Sequence, residues 1–396
     1  MMADTSAEHM PVWHGPALFS FGFRPFFLFG ALWVALAMAL WLPALSGALA
    51  LPTRFDPVSW HAHEFLFGYL GAVLAGFLLT AVPNWTGRLP IAGWRLAALF
   101  ALWVAGRVAV LVSSHLPEAV APALDLAFPL FLGGLILREI VAGRNWRNLI
   151  VLGLLAVFVL ANGIFHIEAL TGAYAAQGLG LRLGLATGIM MIAVIGGRII
   201  PSFTRNWLAK ENNPVRPVPP MQRFDRAVLL ASIALLMLWV AGPRDMQSAA
   251  ALIAFGGLHL ARQARWTPLH TWREPLLWVL HAAYLFIPLG ALAIGLEQIF
   301  GTRGTTGAQH LWMAGAIGAM TLAVMTRATL GHTGQSLTAN RATVAIYFCI
   351  FGSVLSRYLG SVHSGLTHLS GALWLAAFAG FALVYGPALL RPRPEK

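Results

Sequence analysis

The chain has 396 residues, of which 58% are hydrophobic and only 10% are charged, and its mean hydropathy is +0.73. A soluble domain carries roughly 25% charged residues, so this composition cannot provide a water-soluble surface. It excludes an ordinary soluble enzyme and predicts a membrane protein.

The apolar residues are grouped in stretches of about 20, the length that one helical membrane crossing needs. Twelve stretches follow one another, which predicts an all-α polytopic membrane protein with a single membrane domain over 1–396. The region 226–264 also permits one span fewer. The predicted spans are 25–48, 61–83, 94–113, 121–139, 148–170, 179–201, 226–242, 248–264, 275–298, 309–330, 342–358 and 367–390.

The net charge of +12 reflects the topology of the chain. With the amino terminus in the cytoplasm, most of the 26 Lys and Arg residues fall in the segments on the inner side of the membrane. The positive-inside rule therefore places both termini in the cytoplasm. The basic excess follows from topology, so we expect no nucleic-acid partner.

Short motifs recur in the same order at intervals of about 120–130 residues. GGLILR at 133–138 resembles GGLHLAR at 256–262, for example. Chance matches are an alternative in a sequence rich in Leu, Ala and Gly, but chance does not favour a preserved order. The pattern predicts three four-helix repeats in a pseudo-threefold arrangement about the membrane normal. The repeat units are approximately 20–143, 144–268 and 269–396.

The histidines near the predicted periplasmic helix ends are candidate metal ligands, because neutral imidazole is the commonest protein ligand of metals. His63 and His310 occupy equivalent repeat positions on the second and tenth spans. We therefore expect them to be the two axial ligands of one low-spin haem b. His61 lies about 200° around the helix from His63, so we expect it to serve a second centre, with His166 or His368 as further ligands. Anchoring at the lipid headgroups is the alternative for each histidine.

A second group of candidates lies at the predicted cytoplasmic ends of the sixth and tenth spans. Arg198 and Arg327 are equivalent in the repeat, and His332 follows Arg327 closely. Arginines of this kind bind haem propionates, a quinone head group or an anion. Positive-inside anchoring is the alternative. The single cysteine, Cys349, excludes a site with several thiolate ligands.

Several motifs together resemble one known family. WHAHEFLFGY (60–69), GFLLTAVPNWTG (76–87), GGRIIPSFT (196–204) and MTRATLGHTG (325–334), with GFRPFF (22–27), are similar to the NnrS family over nearly the whole chain. The resemblance implies a bacterial inner-membrane protein that contains haem and copper and is associated with denitrification and nitric oxide tolerance. The candidate residues carried over by motif are His61, His63, Glu64, His310, His332, Arg198 and Arg327.

The repeat pattern is also distantly similar to the catalytic subunit of haem–copper oxidases and nitric oxide reductases. That subunit has twelve helices in three arcs of four, with haem ligands near the periplasmic ends of its second and tenth helices. The sixth and seventh predicted spans carry no histidine here, so the usual three-histidine copper site is absent from the sequence. Copper would have to bind elsewhere.

These observations lead to one expected function and two alternatives. We expect a membrane haem protein in nitric oxide detoxification that reduces nitric oxide to nitrous oxide at a haem or haem/copper centre. The expected catalytic residues are His61, Glu64 and His166, with quinol or another donor supplying electrons. The alternatives are a non-catalytic protein that binds or senses nitric oxide and a multi-span transporter. The few charges within the spans, mainly Arg107, Glu64 and Asp125, argue against an ion-coupled transporter.

The charge distribution generates a topology prediction. Reporter fusions after residues 90, 145 and 215 should report a cytoplasmic location, and fusions near residues 50, 175 and 303 a periplasmic one. Paired phosphatase and fluorescent reporters would measure this directly. The reverse pattern would contradict the predicted orientation and would place His61, His63 and His310 at the cytoplasmic side.

Overall fold

The apolar stretches of the sequence fold as long helices in the computed structural model, which describes residues 13–301, 305–361, 363 and 365–393. The rest of the predicted domain 1–396 lies outside the described residues. The described ranges contain twelve long helices. They are α1 (Phe23–Leu45), α2 (Pro57–Thr86), α3 (Trp94–Leu111), α4 (Val120–Ala142), α5 (Leu149–Leu170), α6 (Leu179–Lys210), α7 (Arg223–Ala241), α8 (Met246–Ala264), α9 (Pro275–Phe300), α10 (Thr306–His332), α11 (Arg341–Leu359) and α12 (Gly365–Leu390).

Eleven helices in the described ranges are long and apolar enough to cross a membrane, which confirms an all-α polytopic membrane protein. The predicted span 248–264 corresponds to α8, which is not among those eleven. This helix carries His259, Arg262 and Gln263, and all three side chains are buried inside the protein. These polar residues lower the hydropathy of α8, although their side chains are packed inside the protein.

Two helices extend well beyond their predicted ends. The sequence predicts that the second and sixth spans end at Pro83 and Pro201, but α2 continues to Thr86 and α6 to Lys210. A proline inside a helix removes one backbone hydrogen bond and does not by itself end a membrane helix. At 32 residues, α6 is longer than the roughly 20 residues that one crossing needs.

Both α2 and α10 contain a π-helical segment, which spans Glu64–Tyr69 in α2 and Leu311–Ala319 in α10. Each segment begins directly after a histidine that the repeat alignment treats as equivalent, His63 in α2 and His310 in α10. π-Helical turns are rare and occur frequently at functional sites. The shared backbone irregularity supports a functional role for the π-helical segment of each helix and for the histidine before it.

The chain divides into two compact units. The first unit contains α1 to α5, the start of α6 and the final turns of α10 and α12. The second contains the rest of α6, α7 to α9, α11 and most of α10 and α12. The predicted threefold repeat and its boundaries remain a prediction.

The GFRPFF motif joins α1 to the end of α12 within the first unit. The Arg24 side chain is buried, and its Nη1 donates to the carbonyl oxygens of Ala388, Leu389 and Arg391 at 3.3, 3.0 and 2.7 Å. The last carbonyls of a helix lack partners within the helix, and a guanidinium group satisfies them. The arginine in this motif is therefore structural.

Glycines let charged side chains approach the helix backbone in the first unit. The Arg107 Nη1 atom lies 2.7 Å from Glu64 Oε1, and this ion pair lies against Gly68 in the π-helical segment of α2. A Cβ atom at Gly68 would lie only 2.9 Å from Glu64 Oε2 and even closer to Arg107. The absence of a side chain at Gly68 is thus required by the ion pair.

We therefore predict that Gly68→Ala destabilises the protein by about 1–3 kcal/mol, because the added methyl group displaces two buried charged groups. Thermal unfolding in detergent would measure the effect as a lower melting temperature. Gly71→Ala on the same helix is the matched control, since its Cβ would meet only Phe128 at an ordinary distance of 3.9 Å. Equal melting temperatures for the two variants would contradict the prediction.

Candidate metal centre

Polar side chains from α2, α3, α4 and α5 form one buried cluster in the first unit. None of these side chains belongs to a residue that is more than 3% exposed. Ionisable groups within membrane spans are costly and are usually retained for function. The cluster consists of His63, Glu64, Arg107, Asp125, Asn162 and His166.

Asp125 is the central acceptor of the cluster. Its Oδ2 accepts from His63 Nε2 at 3.1 Å, from Asn162 Nδ2 at 2.8 Å and from His166 Nε2 at 2.9 Å. Its Oδ1 forms an ion pair with Arg107. One carboxylate thus joins two imidazoles, an amide and a guanidinium contributed by α2, α3 and α5.

Glu64 occupies the other side of His63. The Glu64 Oε1 atom accepts from His63 Nδ1 at 3.0 Å and from Arg107 Nη1 at 2.7 Å. Its Oε2 accepts from Trp33 Nε1 at 2.7 Å. Because both oxygens are engaged, the carboxylate is fixed in orientation and in turn fixes the His63 ring.

The local sequence explains why His63 points into the cluster. Asp56 caps the start of α2 by accepting from the backbone N–H groups of Val58 and Ser59, both at 3.0 Å, and Pro57 occupies the first helical position. Both residue types favour a helix start at this point. The Phe55 and Phe165 rings pack against the His63 ring at centroid distances of 5.2 and 5.4 Å.

His63, Asp125 and His166 form a group that could hold a metal ion. One ligand atom from each of the three residues lies within 4.8 Å of the other two. The Asn162 Oδ1 atom, 3.0 Å from His63 Nε2, adds a carbonyl-type oxygen. Two imidazoles with one carboxylate are typical of iron(II) sites, and imidazole also suits copper and zinc. A small cation therefore fits the donor set.

Glu64 has the position of an outer partner of such a site. Histidines that bind metals usually donate their second ring N–H to a carboxylate, which fixes the tautomer and the ring orientation. With His63 Nδ1 facing Glu64, it is the Nε2 atom that faces Asp125 and Asn162. A metal ion could thus bind Nε2 in place of the proton that faces Asp125, while Nδ1–H still donates to Glu64.

The charges of the cluster also favour a cation. Glu64 and Asp125 are two acids, and Arg107 is the guanidinium that contacts both of them. If both acids are ionised, these three groups leave one negative charge in a buried membrane position, which carries a large desolvation cost. A proton on His63 or a bound metal cation would compensate this charge.

Haem does not fit this arrangement at His63. In the described part of the chain, both ring nitrogens of His63 face hydrogen-bond partners, and aromatic rings pack against the imidazole. A small cation could bind between Nε2 and Asp125, whereas a haem group would also have to displace the Phe55 and Phe165 rings. The axial pairing of His63 with His310 stays a prediction, and the two residues belong to different units.

The structure separates His61 from His63, as their spacing predicts. The His61 ring is half-buried and stacks on Trp41 with a centroid distance of 4.1 Å, and Phe65 lies at the same distance. His166 and Glu64 thus join His63, whereas His61 contacts aromatic rings. His61 and His166, which were expected to share a second centre, do not belong to one group of candidate ligands in this conformation.

The remaining predicted residues lie outside the cluster. His310 is half-buried and donates from Nδ1 to Thr306 O at 2.6 Å, and His368 is exposed at the start of α12. The Arg327 guanidinium lies 4.2 Å from the ring centroid of Phe203 on α6, the helix that also carries Arg198. His332 packs against Phe23 at 5.4 Å and belongs to the first unit, whereas Arg198 and Arg327 belong to the second.

Sequence reasoning missed the site roles of Asp125, Arg107, Asn162 and Trp33. Asp125 and Arg107 are recognisable in the sequence as charges within spans, which often mark a functional site. Their spacing along the chain, however, gives no reason to place them beside His63. Asn162 and Trp33 carry no comparable indication, because neither side chain is charged.

Comparison with known proteins supports the resemblance found in the motifs. The family model described as "NnrS protein" matches residues 17–393. No curated protein gives a significant match. Membership links the chain to nitric-oxide-related function and to a generally metal-binding family, and a buried His/Asp/His group is present. Because the match covers nearly the whole sequence, the chain belongs to the NnrS family.

Proposed function

We propose that this protein binds a transition-metal ion, iron or copper, through His63, Asp125 and His166 and uses it to take up nitric oxide from the membrane. The observation that carries the proposal is the convergence of these three side chains within a fully buried cluster. A group of this kind is costly in a membrane protein unless a ligand or a reaction requires it.

The location of the cluster suits nitric oxide. Nitric oxide is small and uncharged and dissolves in the bilayer, so it reaches a site among helices without a polar channel. Water-soluble anions would have to cross apolar packing that includes Phe55, Phe67 and Phe165. Burial therefore selects for a neutral gas.

A bound iron or copper ion would supply the position at which nitric oxide binds and would pass electrons to it from a donor. The overall reaction consumes two nitric oxide molecules, two electrons and two protons, and it yields one nitrous oxide and one water. The electrons require an external donor, for which quinol is the membrane-soluble candidate.

The surrounding residues position the ligands. Glu64 holds the His63 ring through Nδ1, and Trp33 holds Glu64 through its second oxygen. Asn162 donates to the same Asp125 oxygen that faces both histidines. Arg107 neutralises part of the acidic charge without contacting that oxygen, because it pairs with Oδ1 of Asp125.

One observation favours a second candidate, an ion-coupled transporter. The buried ionisable cluster is denser than the sequence suggested, and such groups form relays in pumps and transporters. The small number of charges within the spans is therefore weaker evidence against transport. A transporter would use the cluster without a resident transition metal, so metal content distinguishes the two functions.

The proposed function predicts about one iron or copper per purified chain, with an optical spectrum that changes when nitric oxide is added. His166→Gln and Asp125→Asn should weaken metal binding at least tenfold, since loss of an outer partner alone costs 10–100-fold. Elemental analysis by mass spectrometry and anaerobic titration with nitric oxide would measure both effects.

His368→Gln is the matched control, because it removes an exposed histidine outside the cluster. Thermal unfolding verifies that each variant is folded. A folded wild-type protein without iron or copper, or ligand variants with unchanged metal affinity, would contradict the proposal. Metal binding with a nitric oxide response but no nitrous oxide formed from a supplied reductant would identify a binding or sensing protein.

A further inference from the structure

A second feature of the first unit lies at the opposite end of α2 from His63. A cavity of about 1010 Å³ opens there to the surface. It is lined by the loop between α2 and α3, the end of α4 and the segment before α1. We call this cavity the arginine basin. Its lining includes Arg88, Arg95, Arg138, Glu139, Trp13 and Trp94.

The loop that forms the basin has a defined conformation. Gly87 and Gly93 have φ values of +70° and +67°, which favour glycine, and the Gly93 N–H donates to Phe19 O at 2.7 Å. Trp13 covers Gly93, where a Cβ atom would lie 3.0 Å from its ring, and it meets Trp94 edge-on at 5.6 Å. The basin is therefore built from specific packing contacts.

Glu139 organises the positive charge of the basin. This buried carboxylate accepts from Arg88 Nε at 2.5 Å and from Arg138 Nε and Nη2 at 2.9 and 2.6 Å. Arg88 forms no hydrogen bond through its terminal nitrogens to the described residues, and Arg95 forms none to them at all. Three arginines against one acid leave excess positive charge on exposed side chains.

We propose that the arginine basin binds the phosphate group of an anionic phospholipid. Guanidinium groups match phosphate geometry with paired N–H donors. The basin lies at the helix ends that the charge distribution places in the cytoplasm, the side on which basic pockets meet anionic lipid headgroups. Tryptophans such as Trp13 and Trp94 are typical of this headgroup level.

The apolar surroundings favour a lipid over a free phosphate ion. Leu89 lines the basin and is 47% exposed, and Leu137 and Val141 on α4, on either side of the Arg138–Glu139 pair, are 44% and 47% exposed. These side chains provide a surface for acyl chains beside the charged groups. A soluble anion would use the arginines alone.

The experiment compares phosphatidylglycerol, phosphatidylcholine and inorganic phosphate as ligands of the detergent-purified full chain. Thermal stabilisation and native mass spectrometry report binding. Phosphatidylglycerol should bind and stabilise, whereas phosphatidylcholine and inorganic phosphate should have little effect. Arg95→Gln should weaken phosphatidylglycerol binding about fivefold, which corresponds to the loss of one basic group at the membrane surface.

Arg147→Gln is the matched control, since Arg147 is exposed on the same predicted side but does not line the basin. Arg95 is also exposed, so its substitution should leave the fold intact. Equal weakening by both variants would overturn the proposal by showing a general charge effect. Stabilisation by inorganic phosphate as strong as that by phosphatidylglycerol would overturn it in favour of a soluble anion.

Discussion

The first unit is organised around the bridge that Arg107 forms between Glu64 and Asp125 inside the membrane. Removing one partner of a buried ion pair typically costs about 3–5 kcal/mol, because the other charge remains without compensation. The helices are shaped to keep this bridge intact. Gly106 allows α3 to pass close to Asp125 on α4, and Gly68 leaves room for the guanidinium on α2. The orientation of His63 depends on the same two carboxylates.

The second unit uses a related arrangement for structural purposes. Arg262 is buried, donates from Nε to Asp225 Oδ1 at 2.8 Å and lies against Gly197 on α6. There His259 bonds to Ser232 and Tyr284 at 2.9 and 2.8 Å, so both ring nitrogens are engaged by hydroxyl groups. The difference between the units is chemical. In the first, two imidazoles and a carboxylate converge, which is a metal-binding set, whereas hydroxyl groups surround the histidine in the second.

The sequence predicted the membrane fold well, because apolar stretches of span length rarely occur outside membrane helices. It failed at Pro83 and Pro201, where membrane helices continue past a proline. The predicted stretch 248–264 does form a helix, but it is not among the eleven that are apolar enough to cross a membrane. The metal-binding chemistry of histidine identified His63 and His166 as candidate ligands, and the family resemblance identified Glu64 as a further candidate site residue. Asp125 and Asn162 come from helices separated along the chain, and only the packing of α2, α4 and α5 shows that they meet His63. Neither π-helical segment has a recognisable sequence pattern, although both follow histidines that the repeat pairs.

The central claim is that one metal ion is held by His63, Asp125 and His166, and X-ray absorption spectroscopy at the metal edge of the purified protein tests it most directly. The account predicts a mononuclear iron or copper ion whose ligands are nitrogen and oxygen, with the outer-shell scattering of two imidazoles. In His166→Gln protein reconstituted with excess metal, the scattering of one imidazole should be lost. A porphyrin scattering pattern with no second metal environment, or an imidazole count unchanged in His166→Gln, would contradict it.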